Sequence, residues 1–357
     1  MGKSFDTYNF GLLELEEDDL AKGMKEIEEE LQIPIHPEEI NPVNLLNSEQ
    51  KIAYSIIYNA VLDNKPTTFF VDGPGGTGKT FLYSTLLANV RAKEMIALAV
   101  ASSGIAASGR SGGRTANSRF KIPLDVDEVP SPSISKQSAL GKLICLAKLI
   151  IWDEAPMAKR QTIEYFDRLL QDDCSNKLKF GGKVVVFGGD FRQVLPVIPK
   201  GSLNEVIATS FVMSPLWYAL QKIHLTQNMR AIDDPTFSNL VLQIGNGVPP
   251  YKDGKNIELP KPLVIPYDNE DSSLELLAKS IYPNISETTF DSSTATKRAI
   301  LTPKNEHATK INSLLVHQQP GRAYEYKSFD SCIDNSSEQY PSEFLNSLAH
   351  PAFRLII

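Results

Sequence analysis

Gly73-Pro74-Gly75-Gly76-Thr77-Gly78-Lys79-Thr80 places glycines, a lysine and a hydroxyl in the spacing GxxxxGKT. That spacing is phosphate chemistry. Gly73, Gly75, Gly76 and Gly78 let the backbone around Thr77 curl until successive N–H groups point inward as an anion nest. Lys79 adds a mobile cation for the β- and γ-phosphates of a nucleotide, and the Thr80 hydroxyl is a ligand type for magnesium. Further along, Asp153 and Glu154 stand side by side after an apolar run. The first carboxylate suits magnesium, and the second suits a base that polarises an attacking water. Gln193 and Arg230 each close another apolar run. They are candidates for γ-phosphate contact and for stabilising its charge. A strand-end arginine in isolation equally reads as a surface ion pair.

The elements around these residues have a repeating form. Phe69-Phe70-Val71-Asp72 leads into the glycine-rich turn, and Phe81, Leu82, Leu86, Leu87 and Val90 follow with helical spacing. Met95–Val100, Leu149–Trp152 and Val184–Gly188 are unbroken apolar runs, as expected of parallel strands covered on both faces. A shorter strand ends near Leu225. Before the turn, Ser48-Glu49-Gln50-Lys51 opens an amphipathic helix. Gln50 reads either as part of a plain helix start or as an amide for adenine N6 and N7. The fold class these patterns predict is α/β, a parallel sheet flanked by helices with ligands at the strand ends.

Between Gly104 and Pro123 there is no acid, but there are Arg110, Arg114, Arg119 and Lys121, with Phe120 among them. Hydroxyls, spaced cations and an aromatic suit a nucleic-acid backbone and a stacked base; a solvated basic loop is the plain alternative. Residues 125–138, rich in Pro and Ser, read as loop.

The chain has 357 residues, 42% hydrophobic and 22% charged, with net charge −7. The acid is concentrated. Residues 1–40 hold 12 acids and 3 bases, leaving 33 bases against 31 acids elsewhere. A solvated helical leader is expected there, and a near-neutral body in which local patches decide partners. No apolar run approaches the ~18 residues of a membrane span, and the acidic start has no targeting pattern. Cys145, Cys174 and Cys332 read as reduced thiols without metal-ligand spacing. Past residue 230, FSNLVLQIGNG and NEHATKINSLLVHQ (305–318) read as helices, and LVIPY, AILTP and the final AHPAFRLII as strand-like runs.

The series LNSEQ, GPGGTGKT, ALAVASSGIAA, GGRTANSRF, LIIWDEA, GGDFRQVLPVI and LTQNMR resembles superfamily 1 DNA helicases of the petite-integration-frequency type. The wording is especially similar to copies in plant genomes and rolling-circle transposons. The resemblance implies two RecA-like phosphate-loop lobes, a complete first at about 41–225 and a partial second at 226–357, behind an acidic leader at 1–40, with a DNA-contacting insertion at about 102–138. By the same resemblance Ser102, Ser103, Arg114, Thr115 and Phe120 are the candidate contacts along the single strand. It implies ATP and Mg2+ as cofactors and 5′-to-3′ movement on single-stranded and forked DNA. Roles in repair, recombination and telomere upkeep, in nucleus or mitochondrion, come with it, and no obligate protein partner or membrane is expected. Asn117 stands where that family usually has histidine, and the later family motifs are expected to be missing. A remnant that binds ATP or DNA without unwinding, or another phosphate-loop ATPase, is the rival expectation.

Overall fold

The computed structural model describes residues 26–35, 42–123, 126, 134, 136, 138–248, 256–286 and 297–320. Its strands are the apolar runs: β1 (Thr68–Asp72), β2 (Ala97–Ala101), β3 (Arg114–Thr115), β4 (Leu149–Asp153), β5 (Val184–Gly189) and β6 (Gln221–His224). They form one sheet in the order β3-β2-β4-β5-β1-β6, with every pairing parallel. Helix α1 (Ser48–Leu62) precedes β1; parallel neighbours need crossover segments, and α2 (Lys79–Arg91), α3 (Gly104–Ser108), α4 (Ala116–Phe120), α5 (Ala139–Leu146), α6 (Arg160–Asp173) and α7 (Leu203–Thr209) lie in them. After β6 come α8 (Pro235–Gly245), α9 (Glu270–Ile281) and α10 (Asn305–Gln318).

Side chains alternate across a strand, so the same runs feed two cores. Phe70, Leu98, Val100, Ile150, Trp152, Val185 and Phe187 pack on one face. Phe69, Val71, Ala97, Ala99, Leu149, Ile151 and Val186 pack on the other, against α1 and α2. The first face is aromatic. Phe120 meets Phe166 at 4.6 Å, Phe166 meets Trp152 at 5.2 Å, and the contacts continue through Phe187 and Phe211. Phe70 and Trp217, 4.7 Å apart, carry them to Phe191. Each such pair contributes about 0.5–1.5 kcal/mol beyond its buried area.

Several expectations need correction. The leader is not wholly solvated. Residues 26–31 are helical, Ile27 packs against the aromatic core, and Glu30 is buried in an ion pair with Arg119; residues 1–25 lie outside the described residues. Helix α1 opens at Ser48 as expected, and Asn47 caps it: its side chain accepts from Gln50 N at 2.9 Å. LVIPY and AILTP form no strand. Most of 125–138, and AHPAFRLII with Cys332, lie outside the described residues. Cys145 Sγ donates to Cys174 Sγ at 3.6 Å with no disulfide between them, and burial pushes the Cys174 thiol up to about 12.

Two compact units divide at Pro249 and Pro250. The first contains the sheet. In the second, the described residues form α9 and α10 and no sheet, with Ala278, Tyr282, Ile285 and Ile311 buried. Among the described residues no helix is long and apolar enough to cross a membrane.

Candidate functional site

The turn between β1 and α2 has the conformation its glycines permit. Gly76 and Gly78 have φ of 90° and 76°, which L side chains rarely adopt. A Cβ on Gly76 would stand 2.5 Å from Asn228 Oδ1, and one on Gly78 would stand 2.4 Å from Gln50 Nε2. Both neighbours brace the turn. Gln50 Nε2 donates to Thr77 O at 2.9 Å while its Oε1 accepts from Asn47 N at 3.0 Å. The amide proposed for adenine is therefore engaged at both ends by the protein.

Lys79 opens α2, only 8% exposed, with its ammonium donating to Gly73 O and, at 3.4 Å, to Pro74 O. Burial lowers its pKa, and Glu154, Asp190, Asp153 and Asp72 oppose that shift. Nature's usual partner for such a lysine is a phosphate. Thr80 follows, exposed, one position into the helix.

Asp153 ends β4, buried, with Oδ1 accepting from Glu154 N at 2.9 Å and Oδ2 from Arg110. Glu154 takes a left-handed backbone (φ 52°, ψ 38°) that turns the chain sharply out of the strand. Burial raises its carboxyl pKa, the neighbouring Asp153 adds to the rise, and Lys79 opposes it. Asp190, just past β5, accepts from Arg192 N and Nη1, both at 3.1 Å, and from Gln193 Nε2 at 3.3 Å. Gln193 Nε2 is also the group nearest a Cβ built on Gly75.

The segment after β6 is fastened to the same turn. Met229 N donates to Gly76 O at 2.8 Å, and Asn228 Nδ2 to Gly75 O at 3.4 Å. Asn228 Oδ1 accepts from Arg230 N at 2.9 Å and Ala231 N at 3.0 Å, fixing the backbone from which exposed Arg230 projects. Glu49 accepts from Thr226 N at 2.6 Å, Thr226 Oγ1 and Gln227 N at 3.2 Å. The Thr226 hydroxyl chiefly holds its carboxyl below the usual range, with the two backbone donors helping against burial. Lys79, Thr80, Asp153, Glu154, Gln193 and Arg230 thus meet at the carboxyl end of one sheet. Sequence reading gave no role at this site to Glu49, Asn228 or Arg110. Each acts through a partner far along the chain, although all three lay inside stretches already singled out.

The basic segment is built differently from the expectation. Phe120 is 0% exposed and sits in the aromatic core, so its ring has no face for a base; that expectation is corrected. Arg119 and Arg110 are buried on Glu30 and Asp153. Arg114 and Lys121 remain exposed. Ser103 and Thr115 cap α3 and α4, accepting from Ala106 N and Ser118 N, and Ser102 Oγ accepts from Trp152 Nε1 at 3.0 Å. Asn117 Nδ2 donates to Ile122 O at 3.1 Å and closes the turn after α4.

The donor set fits a magnesium nucleotide: a turn with glycines at positive φ, a buried ammonium, and hard oxygen ligands from Thr80 and Asp153. Among the described residues no three His, Cys, Asp or Glu side chains gather into a cage. A magnesium ion that keeps most of its ligands as water and phosphate oxygens needs no such cage.

Comparison with known proteins agrees. The Pif1 ATP-dependent DNA helicase of Bdellovibrio bacteriovorus is 26% identical over 220 residues, 60% of this chain and 44% of that protein. The chain spans less than half the length of the curated relatives it matches. Among solved structures, the Pif1 helicase of Candida albicans superposes with a TM-score of 0.57 at 19% identity, over 86% of this chain and 62% of that one. The Bacteroides Pif1 helicase, solved with ADP-AlF3 and single-stranded DNA, gives 0.52 at 23%, over 82% and 61%. At such identities these two establish the fold alone. The family model for PIF1-like helicases matches residues 45–255, from the helix that braces the phosphate loop to beyond the arginine that faces it, and the chain belongs to that family.

Proposed function

We propose that this chain is the nucleotide-hydrolysing part of an ATP-dependent DNA helicase that moves 5′ to 3′ along a single strand. The observation that carries the reading is the gathering of loop, paired carboxylates and Arg230 at one sheet edge. The backbone N–H groups of Gly75, Gly76 and Gly78, with the Lys79 ammonium, bind the phosphates, drawing the ammonium from its loop carbonyls. Thr80 and Asp153 would hold Mg2+, which neutralises phosphate charge. Glu154 accepts the proton of the attacking water, and its raised pKa makes it a stronger base near neutral pH than an ordinary carboxylate. Gln193, held by Asp190, contacts the γ-phosphate or that water. Arg230, its backbone set by Asn228, meets charge developing on the γ-phosphate. Gln50, whose amide already donates to Thr77 O and accepts from Asn47 N, is assigned to adenine through its second N–H and its second lone pair.

The nucleic-acid side rests on Arg114 and Lys121, the exposed cations of the acid-free segment, with Ser102, Ser103 and Thr115 as nearby hydroxyls. Single-stranded and forked DNA are the assigned partners, in nucleus or mitochondrion. The test is ATP hydrolysis by the whole chain with and without single-stranded DNA, followed by strand displacement on duplexes tailed at either end. Hydrolysis stimulated by single-stranded DNA is expected, with displacement weak and confined to a 5′ tail. Hydrolysis indifferent to DNA would point to another phosphate-loop ATPase, and nucleotide binding without turnover to a binding remnant.

A further inference from the structure

Both oxygens of the Asp153 carboxylate are taken. Oδ1 accepts from Glu154 N at 2.9 Å, and Oδ2 accepts from Arg110 Nη2. The pair is sealed from solvent, with side-chain exposures of 3% for Arg110 and 6% for Asp153. Arg110 lies in the turn between α3 and β3, inside the acid-free stretch from which Arg114 and Lys121 face outward. The rest of its guanidinium is poorly held. Nη1 donates to Ala106 O at 3.2 Å, and the buried Nε has no hydrogen-bond partner. Its carbon stands 5.5 Å from the Tyr83 ring centroid, and the Tyr83 hydroxyl is itself buried without a partner. Unpaired buried polar atoms are costly, so the carboxylate is the main interaction keeping this guanidinium inside. The turn also contains Gly109, Gly112 and Gly113, with Gly112 at φ 72°; its own holds are on backbone carbonyls, Gly113 N donating to Arg110 O at 2.9 Å and Arg91 Nη1 to Ser111 O at 3.0 Å.

We propose that Arg110 is a latch on Asp153: a positioning residue whose guanidinium holds the magnesium-side carboxylate until a divalent cation and nucleotide take it, releasing the 109–113 turn. The inference rests on the nucleotide site assigned above and adds to it a device for sensing occupancy. A guanidinium and a divalent cation cannot share one buried carboxylate oxygen, because like charges at contact distance repel strongly where water is excluded. Once displaced, the arginine finds no acid from Gly104 to Pro123. It can pair with an external anion such as a DNA phosphate, joining Arg114 and Lys121. Nucleotide loading would then add one cation to the face that tracks the nucleic-acid backbone.

The experiment uses the whole chain, a fluorescent ADP analogue and a magnesium titration, comparing the parent with Arg110→Met. A latch closed for nine-tenths of the time weakens apparent affinity roughly 10-fold, so the variant should reach half-saturation at roughly tenfold lower magnesium. In the unsubstituted chain, amides 107–113 should exchange hydrogen faster with ADP and magnesium than with ADP and EDTA. If the variant binds the analogue with an unchanged magnesium midpoint, or if exchange at 107–113 ignores magnesium, the pair is a static core contact and the latch is wrong. Should Arg110→Met fail to fold, the exchange result on the parent decides alone. If the analogue does not bind the parent at all, the nucleotide site falls and the latch with it; if it binds without latch behaviour, only the latch falls.

Discussion

At the scale of single residues, two carboxylates one position apart are given different work by what touches them. Asp153 is saturated with donors, whereas Glu154 is half-buried with its carboxyl pKa raised by burial and by Asp153. Glu154→Gln keeps the shape and removes the base. Affinity for magnesium ATP should stay within a few-fold while turnover falls at least ~100-fold, the usual contribution of a general base. Parallel binding and single-turnover measurements check this, and equal loss in both would reverse the division of roles. The cations of the acid-free segment also divide. Arg119 is spent on Glu30, so the pair to test is Arg114 and Lys121. Replacing both with Ala should flatten the slope of log affinity for single-stranded DNA against log salt by roughly 1.4, about 0.7 for each phosphate left without its cation. Arg119→Ala should instead lower the melting temperature, because it strands Glu30 as a buried unpaired charge. An unchanged slope for the Arg114 and Lys121 variant would return the segment to a solvated loop.

At the scale of elements, α6 ends in Asp172 and Asp173, placing acid where the helix dipole is already negative. Burial, with Asp172 beside it, raises the Asp173 carboxyl from 3.8 to about 6 against the opposing pull of Lys136, and its Oδ2 accepts no hydrogen bond. A carboxyl whose folded pKa is raised costs nothing below its unfolded value. The cost grows between about pH 4 and 6 and is complete above that. A shift of this size corresponds to about 3 kcal/mol before screening, and solvent access to the group reduces it to roughly 1–2 kcal/mol. Asp173→Asn should therefore stabilise the protein by that amount at pH 7.5 and by almost nothing near pH 4. Denaturant melts at the two pH values provide the measurement. A gain of equal size at both would mean the effect is not electrostatic.

At the scale of the whole molecule, the two units differ in how much apolar surface they bury. Residues 1–249 carry two extensive hydrophobic clusters, whereas the described residues of 250–357 bury few side chains. Separate cores of unequal size predict separate melting transitions, with the sheet-bearing unit the more stable. Magnesium with a non-hydrolysable ATP analogue at about 100 times its Kd should stabilise that unit by ~2.7 kcal/mol. That is a rise of roughly 5–10 °C for a domain of its size. Lys79→Ala should erase the shift, since the loop loses the ammonium aimed at the β- and γ-phosphates. Scanning calorimetry shows both effects, and a ligand shift that survives Lys79→Ala would place the nucleotide elsewhere.

What the sequence determined by itself is whatever depends on neighbours in the chain. Unbroken apolar runs become buried parallel strands because both faces of such a sheet are covered, and Phe69–Asp72 followed by the glycine-rich turn leaves little choice of local path. Strand-end carboxylates and Arg230 were legible for the same reason: a parallel sheet brings its carboxyl ends to one edge. Tertiary structure decided what depends on distant contacts. Phe120 and Arg119 have the composition of a binding loop, yet the chain before the sheet returns to pair Glu30 with Arg119, and α6 takes Phe120 into the core. Arg110 and Asp153 are far apart in sequence, and only the β2–β4 pairing brings the turn before β3 over the end of β4. LVIPY and AILTP show the converse, since a short apolar run becomes a strand only where another strand accepts its hydrogen bonds. Periodicity is a local property of the chain, whereas burial of a charge or a ring is set by whatever folds back upon it.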